Sequence, residues 1–143
     1  MIEIISNSPD ETIKLGKKIA VSLCAGSVVA LKGTLGSGKT NLTKGIALGL
    51  NITETITSPT YTIINEYHRS GSPVFYHIDI YRLNNDKDFA EIGGLEIINS
   101  DGISVIEWSE RIQKLLPPQT ITITLEITGD SSRLIRITGL EKI

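Results

Sequence analysis

The residues of this chain that are best suited to chemistry form a glycine-rich run ending in a lysine and a threonine. Gly33, four intervening residues and then Gly38-Lys39-Thr40 satisfy the phosphate-binding P-loop pattern. Glycines let successive backbone N–H groups face one point, where they can hold a polyphosphate. Lys39 adds a positive charge, and the hydroxyl of Thr40 can ligate the Mg²⁺ that accompanies a nucleoside triphosphate. The pattern predicts a nucleotide phosphate site.

The segments on either side of this loop supply the elements that must position it. Residues 27–31 form a short apolar run typical of a buried strand, and residues 41–48 have the spacing of an amphipathic helix. In that order the loop leaves the carboxyl end of the strand and enters the positive end of the helix dipole. The alternative, a glycine-rich turn that fits the pattern by chance, does not require these two elements.

A carboxylate follows the next apolar strand candidate, which lies within residues 73–82. Asp79 stands near its end, and a Mg²⁺ site beside a P-loop needs such a carboxylate to bind the metal directly or through water. The alternative is an aspartate that caps a turn. His77 lies two residues earlier on the same face, and we interpret it as a packed, hydrogen-bonded strand residue.

A second buried-strand pattern, residues 102–108, also ends in an acid. Glu107 could complete the metal and water site, and Trp108, the only tryptophan, would lie at the same rim. Two alternatives remain open: Glu107 favours the start of a following helix, and Trp108 simply fills the core.

The segment Ser58-Pro59-Thr60-Tyr61-Thr62 has two interpretations. Pro59 fixes its own φ and restricts Ser58, which gives a defined turn before a strand candidate at residues 61–67. The segment is either a loop that enters an edge strand or a switch. In a switch, Thr60 would reach Mg²⁺ and the terminal phosphate when triphosphate is bound.

Local signals mark the other helices. Ser8 as N-cap, Pro9 at the first position and Glu11 as the partner in a capping box predict a helix start. Residues 84–98 mix charged and apolar positions and predict two short helical pieces that are broken at Gly93-Gly94.

The whole pattern predicts the architecture. Residues 120–128 alternate between aliphatic and polar side chains, which is typical of a half-buried antiparallel strand, and residues 129–132 turn the chain into residues 133–138. We predict one domain over residues 1–143 with an α/β fold of the P-loop NTPase type. Its mainly parallel sheet is flanked by helices and carries an appended antiparallel C-terminal hairpin. Ligands of such sheets bind beyond the carboxyl ends of the strands, where the P-loop, Asp79 and Glu107 would converge.

Composition limits the classes of partner. With 143 residues, 40% of them hydrophobic, the chain can bury a real core, and its net charge is −2. No window clusters Lys and Arg, which argues against a general polyanion-binding surface. Cys24 has no second cysteine to pair with, and we expect it to be a buried thiol in a reducing compartment. No stretch reaches the ~20 apolar residues of a membrane span, so we expect a cytoplasmic protein with no membrane partner.

Four elements, in order and at similar spacing, resemble the TsaE (YjeE) family, the small P-loop ATPases of bacterial tRNA threonylcarbamoyladenosine biosynthesis. They are Leu35-Gly36-Ser37-Gly38-Lys39-Thr40, Ser58-Pro59-Thr60-Tyr61-Thr62, His77-Ile78-Asp79-Ile80-Tyr81-Arg82-Leu83 and Glu107-Trp108. The second and third elements are much more specific than the P-loop itself. The resemblance covers nearly the whole chain.

The resemblance implies an ATPase that binds ATP with Mg²⁺ and is weak alone but stimulated by partners. Two partner subunits, similar to TsaB and TsaD, would install threonylcarbamoyl on adenosine beside the tRNA anticodon. ATP hydrolysis would reset that complex between turnovers, this chain would not catalyse the transfer, and its contact with tRNA would be indirect.

The resemblance also implies roles for single residues. Asp79 would act through the metal-bound water, Thr60 would belong to the nucleotide-sensing switch, and Trp108 would pack beside the nucleotide. The implied metal set is Thr40, Asp79 and Glu107, and the implied catalytic set is Asp79, Glu107 and Thr60. The implied nucleotide-binding set is Pro9, Thr12, Gly33, Gly36, Ser37, Gly38, Lys39, Thr40, Asn41, Asp79, Trp108 and Arg133.

Two positions depart from the family pattern, which usually has Asp at Thr34 and a second Thr at Asn41. Asn41 can still donate to the α-phosphate, but Thr34 removes a charge from the loop and leaves the turnover rate open. The alternatives are a small autonomous kinase, a regulatory nucleotide-binding switch and a module that binds nucleotide without turnover. No Asn-Lys-x-Asp guanine-reading motif occurs, and the chain is short for a kinase with its own acceptor pocket and lid.

Overall fold

The computed structural model describes residues 1–57 and 63–143. Its strands are β1 (Ile2–Ser6), β2 (Val28–Lys32), β3 (Ile64–Tyr67), β4 (Phe75–Asp79), β5 (Ile103–Glu107), β6 (Ile121–Ile127) and β7 (Arg133–Thr138). Its helices are α1 (Pro9–Ala20), α2 (Lys39–Gly49), α3 (Asp86–Glu91) and α4 (Gly94–Ile98), and a 3₁₀ segment covers Ser109–Leu115. The two short helical pieces predicted around Gly93 are thus confirmed as α3 and α4.

These strands form one sheet in the order β1-β7-β6-β2-β5-β4-β3. The four central strands, β6, β2, β5 and β4, are parallel, and the outer pairs β1–β7, β7–β6 and β3–β4 are antiparallel. The predicted α/β class, with a mainly parallel sheet and an antiparallel C-terminal hairpin, is confirmed. One detail differs, because β6 is antiparallel only to β7 and pairs in parallel with β2 on its other side.

Helices cover both faces of the sheet and divide the core into two clusters. One cluster joins α1 and α2 to the sheet through residues such as Leu15, Ile46, Val29 and Phe75. The other joins α3, α4 and the 3₁₀ segment to the opposite face. Side chains of a strand alternate between faces, so β2, β4 and β5 contribute to both clusters, whereas β6 contributes only to the cluster that contains α1 and α2.

Helix α1 begins as its sequence predicts. The hydroxyl of Ser8 accepts a hydrogen bond from the N–H of Glu11 at 3.1 Å, and Pro9 is the first helical residue. The Glu11 carboxylate accepts from the N–H of Asn7, one residue before the N-cap, at 2.6 Å. These bonds fix the start of α1 and therefore the position of Pro9 and Thr12.

Helices α1 and α2 pack through glycines. A Cβ built at Gly16 would lie 2.5 Å from the carbonyl oxygen of Leu42 and 2.7 Å from the N–H nitrogen of Ile46. Gly45 faces Gly16 and the carbonyl of Ile13 in the same way. The two backbones therefore touch, and the start of α2, which is the end of the P-loop, is held against α1.

The prediction of a buried Cys24 thiol is wrong. Cys24 is exposed, and its Sγ lies 3.7 Å from the hydroxyl of Ser27. Helix α1 ends at Ala20, four residues earlier, so Cys24 falls in the turn before β2 rather than on the inner face of the helix. Within residues 1–57 and 63–143, no helix has the length and apolar character that a membrane crossing requires.

Candidate functional site

The P-loop connects the buried strand β2 to helix α2, as the sequence predicts. Gly36 (φ 80°) and Gly38 (φ 103°) have positive φ angles that side chains with a Cβ rarely adopt. Gly38 is the N-cap of α2, and no side chain of the described residues caps that helix end. The N–H groups that begin an α-helix have no partner within the helix and suit an anion as donors.

The side chain of Lys39 folds back over its own loop. Its Nζ donates to the carbonyl oxygens of Gly33 and Thr34, at 3.0 Å to the latter, and lies 3.9 Å from the ring centroid of Trp108. Burial lowers the pKa of Lys39, whereas the charges of the nearby carboxylates, above all Glu107, oppose that shift. The ammonium group of Lys39 thus lies beside the loop, in contact with two backbone carbonyls and the ring of Trp108.

The two predicted carboxylates meet at the carboxyl ends of neighbouring strands. Asp79 on β4 is directly opposite Glu107 on β5 in the parallel register. Thr40, in the first turn of α2, donates its hydroxyl to Oε1 of Glu107 at 3.2 Å. The three residues of the implied metal set, far apart in sequence, therefore lie on one side of the loop.

The turn-capping alternative for Asp79 is also realised. Its Oδ1 accepts a hydrogen bond from the N–H of Tyr81 at 3.0 Å, and among residues 1–57 and 63–143 no group hydrogen-bonds to its other oxygen. Burial raises the pKa of Asp79, and the adjacent charge of Glu107 raises it further, while the Tyr81 N–H opposes both effects. Capping and a role in the site are compatible here, because they use different oxygens.

The alternative for Glu107, a helix-start carboxylate, does not hold. No side chain caps the 3₁₀ segment that follows, and Glu107 is 3% exposed beneath α2. Trp108 is partly exposed and has φ 65°, an unusual left-handed conformation for a residue with a Cβ. It lies at the rim between Lys39 and Tyr81, whose ring centroid is 4.8 Å away, and its indole also packs on the α3–α4 side of the core.

The donor chemistry suits Mg²⁺ bound together with phosphates. A hydroxyl and carboxylates are the hard oxygen ligands that Mg²⁺ prefers, and Mg²⁺ is usually held by one or two carboxylates plus substrate phosphates. In the part of the chain that the structure describes, no group of three His, Cys, Asp or Glu side chains could hold a metal ion. By their donor chemistry, Thr40, Asp79 and Glu107 fit a Mg²⁺ ion whose other ligands come from the phosphates of a nucleotide.

A recess next to the P-loop lies between α1 and the C-terminal hairpin. It is lined by four residues of the implied nucleotide set and by three residues that sequence reasoning missed: Pro9, Thr12, Asn41 and Arg133, with Ser8, Asp130 and Ser131. The adjoining cleft is lined by Leu35, Gly36, Gly38, Lys39, Thr40 and Asn41 of the loop and α2, together with Asp79, Glu107 and Trp108. These three residues stand just before α1 and β7 in the sequence. Their position beside the predicted residues Pro9 and Arg133 was the signal that could have identified them.

Arg133 holds the loop from outside. Its guanidinium donates to the carbonyls of Ser37 at 3.2 Å and Gly36 at 3.1 Å, and it also bonds its own hairpin at Gly129 and Ser132. The structure therefore places Arg133 as a clamp between β7 and the P-loop, beside the recess.

Two further predicted residues need separate mention. Thr60 and the segment around it lie outside the described residues. His77 is packed and hydrogen-bonded, as expected for a strand residue, but its partner is Glu107 itself. The sequence predicts which face of the sheet His77 is on, because His77 and Asp79 are two residues apart on one strand. It does not predict the hydrogen-bond partner of His77, which depends on which strand lies beside β4.

Comparisons with known proteins show which family this chain resembles. Residues 6–135 match the family model described as threonylcarbamoyl adenosine biosynthesis protein TsaE. A tRNA threonylcarbamoyladenosine biosynthesis protein TsaE from Treponema pallidum is 44% identical over 93% of this chain and 97% of its own length. The protein of the same name from Bacillus subtilis is 38% identical over 93% of this chain and 82% of its own length.

A solved structure has the same fold. The crystal structure of YdiB from Bacillus subtilis superimposes with a TM-score of 0.77 at 34% sequence identity, covering 94% of this chain and 82% of that one.

Proposed function

This chain belongs to the TsaE family, and we propose that it is the ATP-binding and ATP-hydrolysing member of a machinery that makes threonylcarbamoyladenosine in tRNA. The names of its relatives supply the pathway. The observation that carries the ATPase proposal is the hydrogen bond from the hydroxyl of Thr40 to Oε1 of Glu107, 3.2 Å long. Thr40 directly follows Lys39 in the first turn of α2. A hydroxyl and a carboxylate at the end of a P-loop are what a metal–nucleotide complex needs.

In this proposal the loop and Lys39 bind the phosphates. Lys39 exchanges the carbonyls of Gly33 and Thr34 for a phosphate oxygen, and the N–H groups at the start of α2 donate to the same phosphates. Thr40 and Glu107 would hold Mg²⁺. When bound, Mg²⁺ neutralises charge on the phosphates.

Asp79 orients the attacking water and accepts its proton. The burial that raises the pKa of its carboxyl makes it a better match for a base near neutral pH. Thr60 would act as the nucleotide-sensing switch. Pro9, Thr12, Asn41 and Arg133 would hold the remainder of the nucleotide, since they line the recess next to the loop.

The partners belong to the same proposal. Two subunits similar to TsaB and TsaD would carry out the transfer to tRNA, and ATP hydrolysis here would reset them between turnovers. A net charge of −2 without clustered basic residues is consistent with tRNA being bound mainly by those partners. The cytoplasm is the expected place of action.

The test is phosphate release from Mg-ATP by this protein alone and then with both partner subunits and tRNA. Slow release alone and clear stimulation in the mixture would support the proposal. Equal, vigorous release in both would indicate an autonomous enzyme, transfer to a small acceptor would indicate a kinase, and preference for GTP would indicate a regulatory switch.

Three variants, with Lys87→Ala as their control, test which residues bind ATP and which support its hydrolysis. Lys39→Ala should abolish ATP binding or turnover, whereas Lys87→Ala, which removes an exposed lysine of α3, should change neither. Asp79→Asn and Glu107→Gln should keep substantial ATP binding but lower hydrolysis at least ~100-fold. Near-wild-type turnover in the last two would mean that the metal and water site lies elsewhere.

A further inference from the structure

One buried titratable side chain in the site has no part in the steps above. His77 is 0% exposed, and its Nε2 bonds to Oε2 of Glu107. Its other ring nitrogen, Nδ1, is buried and has no hydrogen-bond partner among residues 1–57 and 63–143. A buried polar ring with a single partner needs a reason to be there, because an apolar residue would pack at lower cost.

The strand register brings His77 to Glu107. His77 on β4 lies opposite Val105, and Asp79 lies opposite Glu107, so His77 and Glu107 are diagonal neighbours. Residues two apart on a strand share a face. The face in question is the one covered by α2, because Phe75 belongs to the cluster that contains Leu42 and Ile46.

The two oxygens of Glu107 differ in their nearest partner. Oε1 accepts from Thr40 at 3.2 Å, whereas Oε2 meets His77 and lies 3.5 Å from the same Thr40 hydroxyl. Thr40 is in the metal set and its hydroxyl can turn toward an incoming ion, but His77 is enclosed by the core and cannot follow. His77 is thus the fixed contact of the carboxylate.

The hydrogen bonds also assign the tautomer of His77. A neutral imidazole carries its proton on one nitrogen, and an orphaned buried N–H is costlier than an unused lone pair. A proton on Nε2 is used by Glu107, whereas a proton on Nδ1 would have no acceptor in the described structure. His77 is therefore a donor through Nε2.

We propose that His77 is a positioning residue that anchors Oε2 of Glu107 so that Oε1, beside Thr40, is presented to the metal of the bound nucleotide. This inference rests on the proposed function. Partners that hydrogen-bond a ligating carboxylate set its orientation, and their loss typically costs 10–100-fold in metal affinity. His77 itself touches neither metal nor nucleotide in this arrangement.

The test compares two replacements and one control. His77→Leu keeps the bulk and removes the donor. His77→Gln places an amide donor near the position of Nε2 and should rescue the bond. Ser104→Ala is the matched control, because Ser104 is also a buried strand residue with a polar atom but lacks a partner among the described residues.

The first readout is the affinity of Mn²⁺, which replaces Mg²⁺ at oxygen sites, measured by electron paramagnetic resonance on the ADP complex of each variant. His77→Leu should weaken Mn²⁺ binding about 10–100-fold, His77→Gln should recover most of the loss, and Ser104→Ala should match wild type. ADP affinity measured without metal should stay within about twofold, since the phosphates are held by the loop.

Different results overturn different claims. If wild type binds neither ADP nor Mn²⁺ with ADP, the proposed function fails. If wild type binds both and folded His77→Leu binds Mn²⁺ equally well, or the Gln variant is as weak as the Leu variant, only the role of His77 fails. If His77→Leu does not fold, ¹⁵N NMR of the wild-type imidazole decides the matter: a proton on Nε2 supports the proposal, and an Nε2 without a proton overturns it.

Discussion

At the scale of single residues, Trp108 contacts the lysine of the P-loop, so its surroundings depend on where that lysine lies. Its indole lies 3.9 Å from Nζ of Lys39, and its backbone is held at φ 65°, a conformation that costs energy for a residue with a Cβ. The proposed phosphate complex draws Lys39 away from the Gly33 and Thr34 carbonyls. The surroundings of the only tryptophan must then change.

The first prediction follows from that contact. Addition of Mg-ADP should produce a saturable change in the fluorescence of Trp108, because the cation leaves or shifts over the indole ring. Lys39→Ala should show altered starting emission and no titration with Mg-ADP. An unchanged emission in wild type, at concentrations where calorimetry detects binding, would show that Lys39 and Trp108 stay together in the complex.

The second prediction concerns Asp79, whose pKa is raised by burial and by the charge of Glu107. The folded state therefore holds this proton more tightly than the unfolded chain, and the stability gained from protonation is lost as pH rises through the raised pKa. Asp79→Asn removes the charge and keeps an acceptor for the Tyr81 N–H. Without nucleotide, its Tm should exceed that of wild type at pH 7.

The pH series supplies the control for that prediction. The difference in Tm should narrow as pH falls toward about 4, the ordinary carboxyl range, because wild-type Asp79 is then protonated as well. Asp101→Asn, at an exposed turn, should track wild type throughout. A lower Tm for Asp79→Asn at pH 7 would mean that the ionised carboxylate stabilises the fold.

At the scale of elements, the contact between α1 and α2 sets the position of the P-loop. A third prediction tests it with Gly45→Ala, whose added methyl group would collide with the carbonyl of Ile13 and the backbone of Gly16. Overpacking of this kind costs about 1–3 kcal/mol. We expect that loss in urea unfolding, together with weaker nucleotide binding, because α2 carries Lys39 and Thr40 at its start.

A surface change on the partner helix α1 is the comparison for Gly45→Ala. Lys14→Ala lies on the exposed side of α1 and should change the free energy of unfolding by less than about 0.5 kcal/mol. Unchanged stability of Gly45→Ala would show that the two helices can separate without cost.

The sequence was informative wherever the signal is local. Ser8 and Pro9 mark the start of α1, Gly93 separates α3 from α4, and the Gly38-Lys39-Thr40 run marks the start of α2, because caps and glycine conformations act within a few residues. The fold class followed from the alternation of these elements. Asp79 and Glu107 could be expected at one edge because each ends an apolar strand.

The sequence could not predict contacts between residues that are far apart along the chain. The alternation in β6 indicates one buried face but not the direction of each partner, so its parallel pairing with β2 could not be predicted. The bond between His77 and Glu107 required the order of β4 and β5. Cys24 was misjudged because helix α1 ends earlier than its apolar pattern suggests.

At the scale of the whole molecule, the site is built from segments that are far apart in the sequence. The recess beside the loop takes its walls from α1, α2 and the β6–β7 hairpin, and the adjoining cleft takes its walls from β4 and β5. A ligand that contacts all of these stabilises them together, because it binds the assembled state alone.

The fourth prediction measures that effect by thermal unfolding. Mg-ADP at 100 times its Kd should add about 2.7 kcal/mol and raise the Tm of a single cooperative transition. Lys39→Ala should show no rise, and Lys87→Ala should show the full one. Two separate transitions, with only one responding to nucleotide, would contradict the expectation of one domain.

The order of strands in the sheet also has a consequence for how the molecule is made. Val29, on the strand that carries the P-loop, is paired with Val105 on one side and Ile121 on the other, and the first strand, β1, pairs with the last, β7. During synthesis the loop emerges long before either neighbour of its strand exists, and pairings of such wide separation form slowly. In a growing chain β2 therefore lacks both of its partner strands until β5 and β6 have been synthesised, and we expect nucleotide binding to need all three strands.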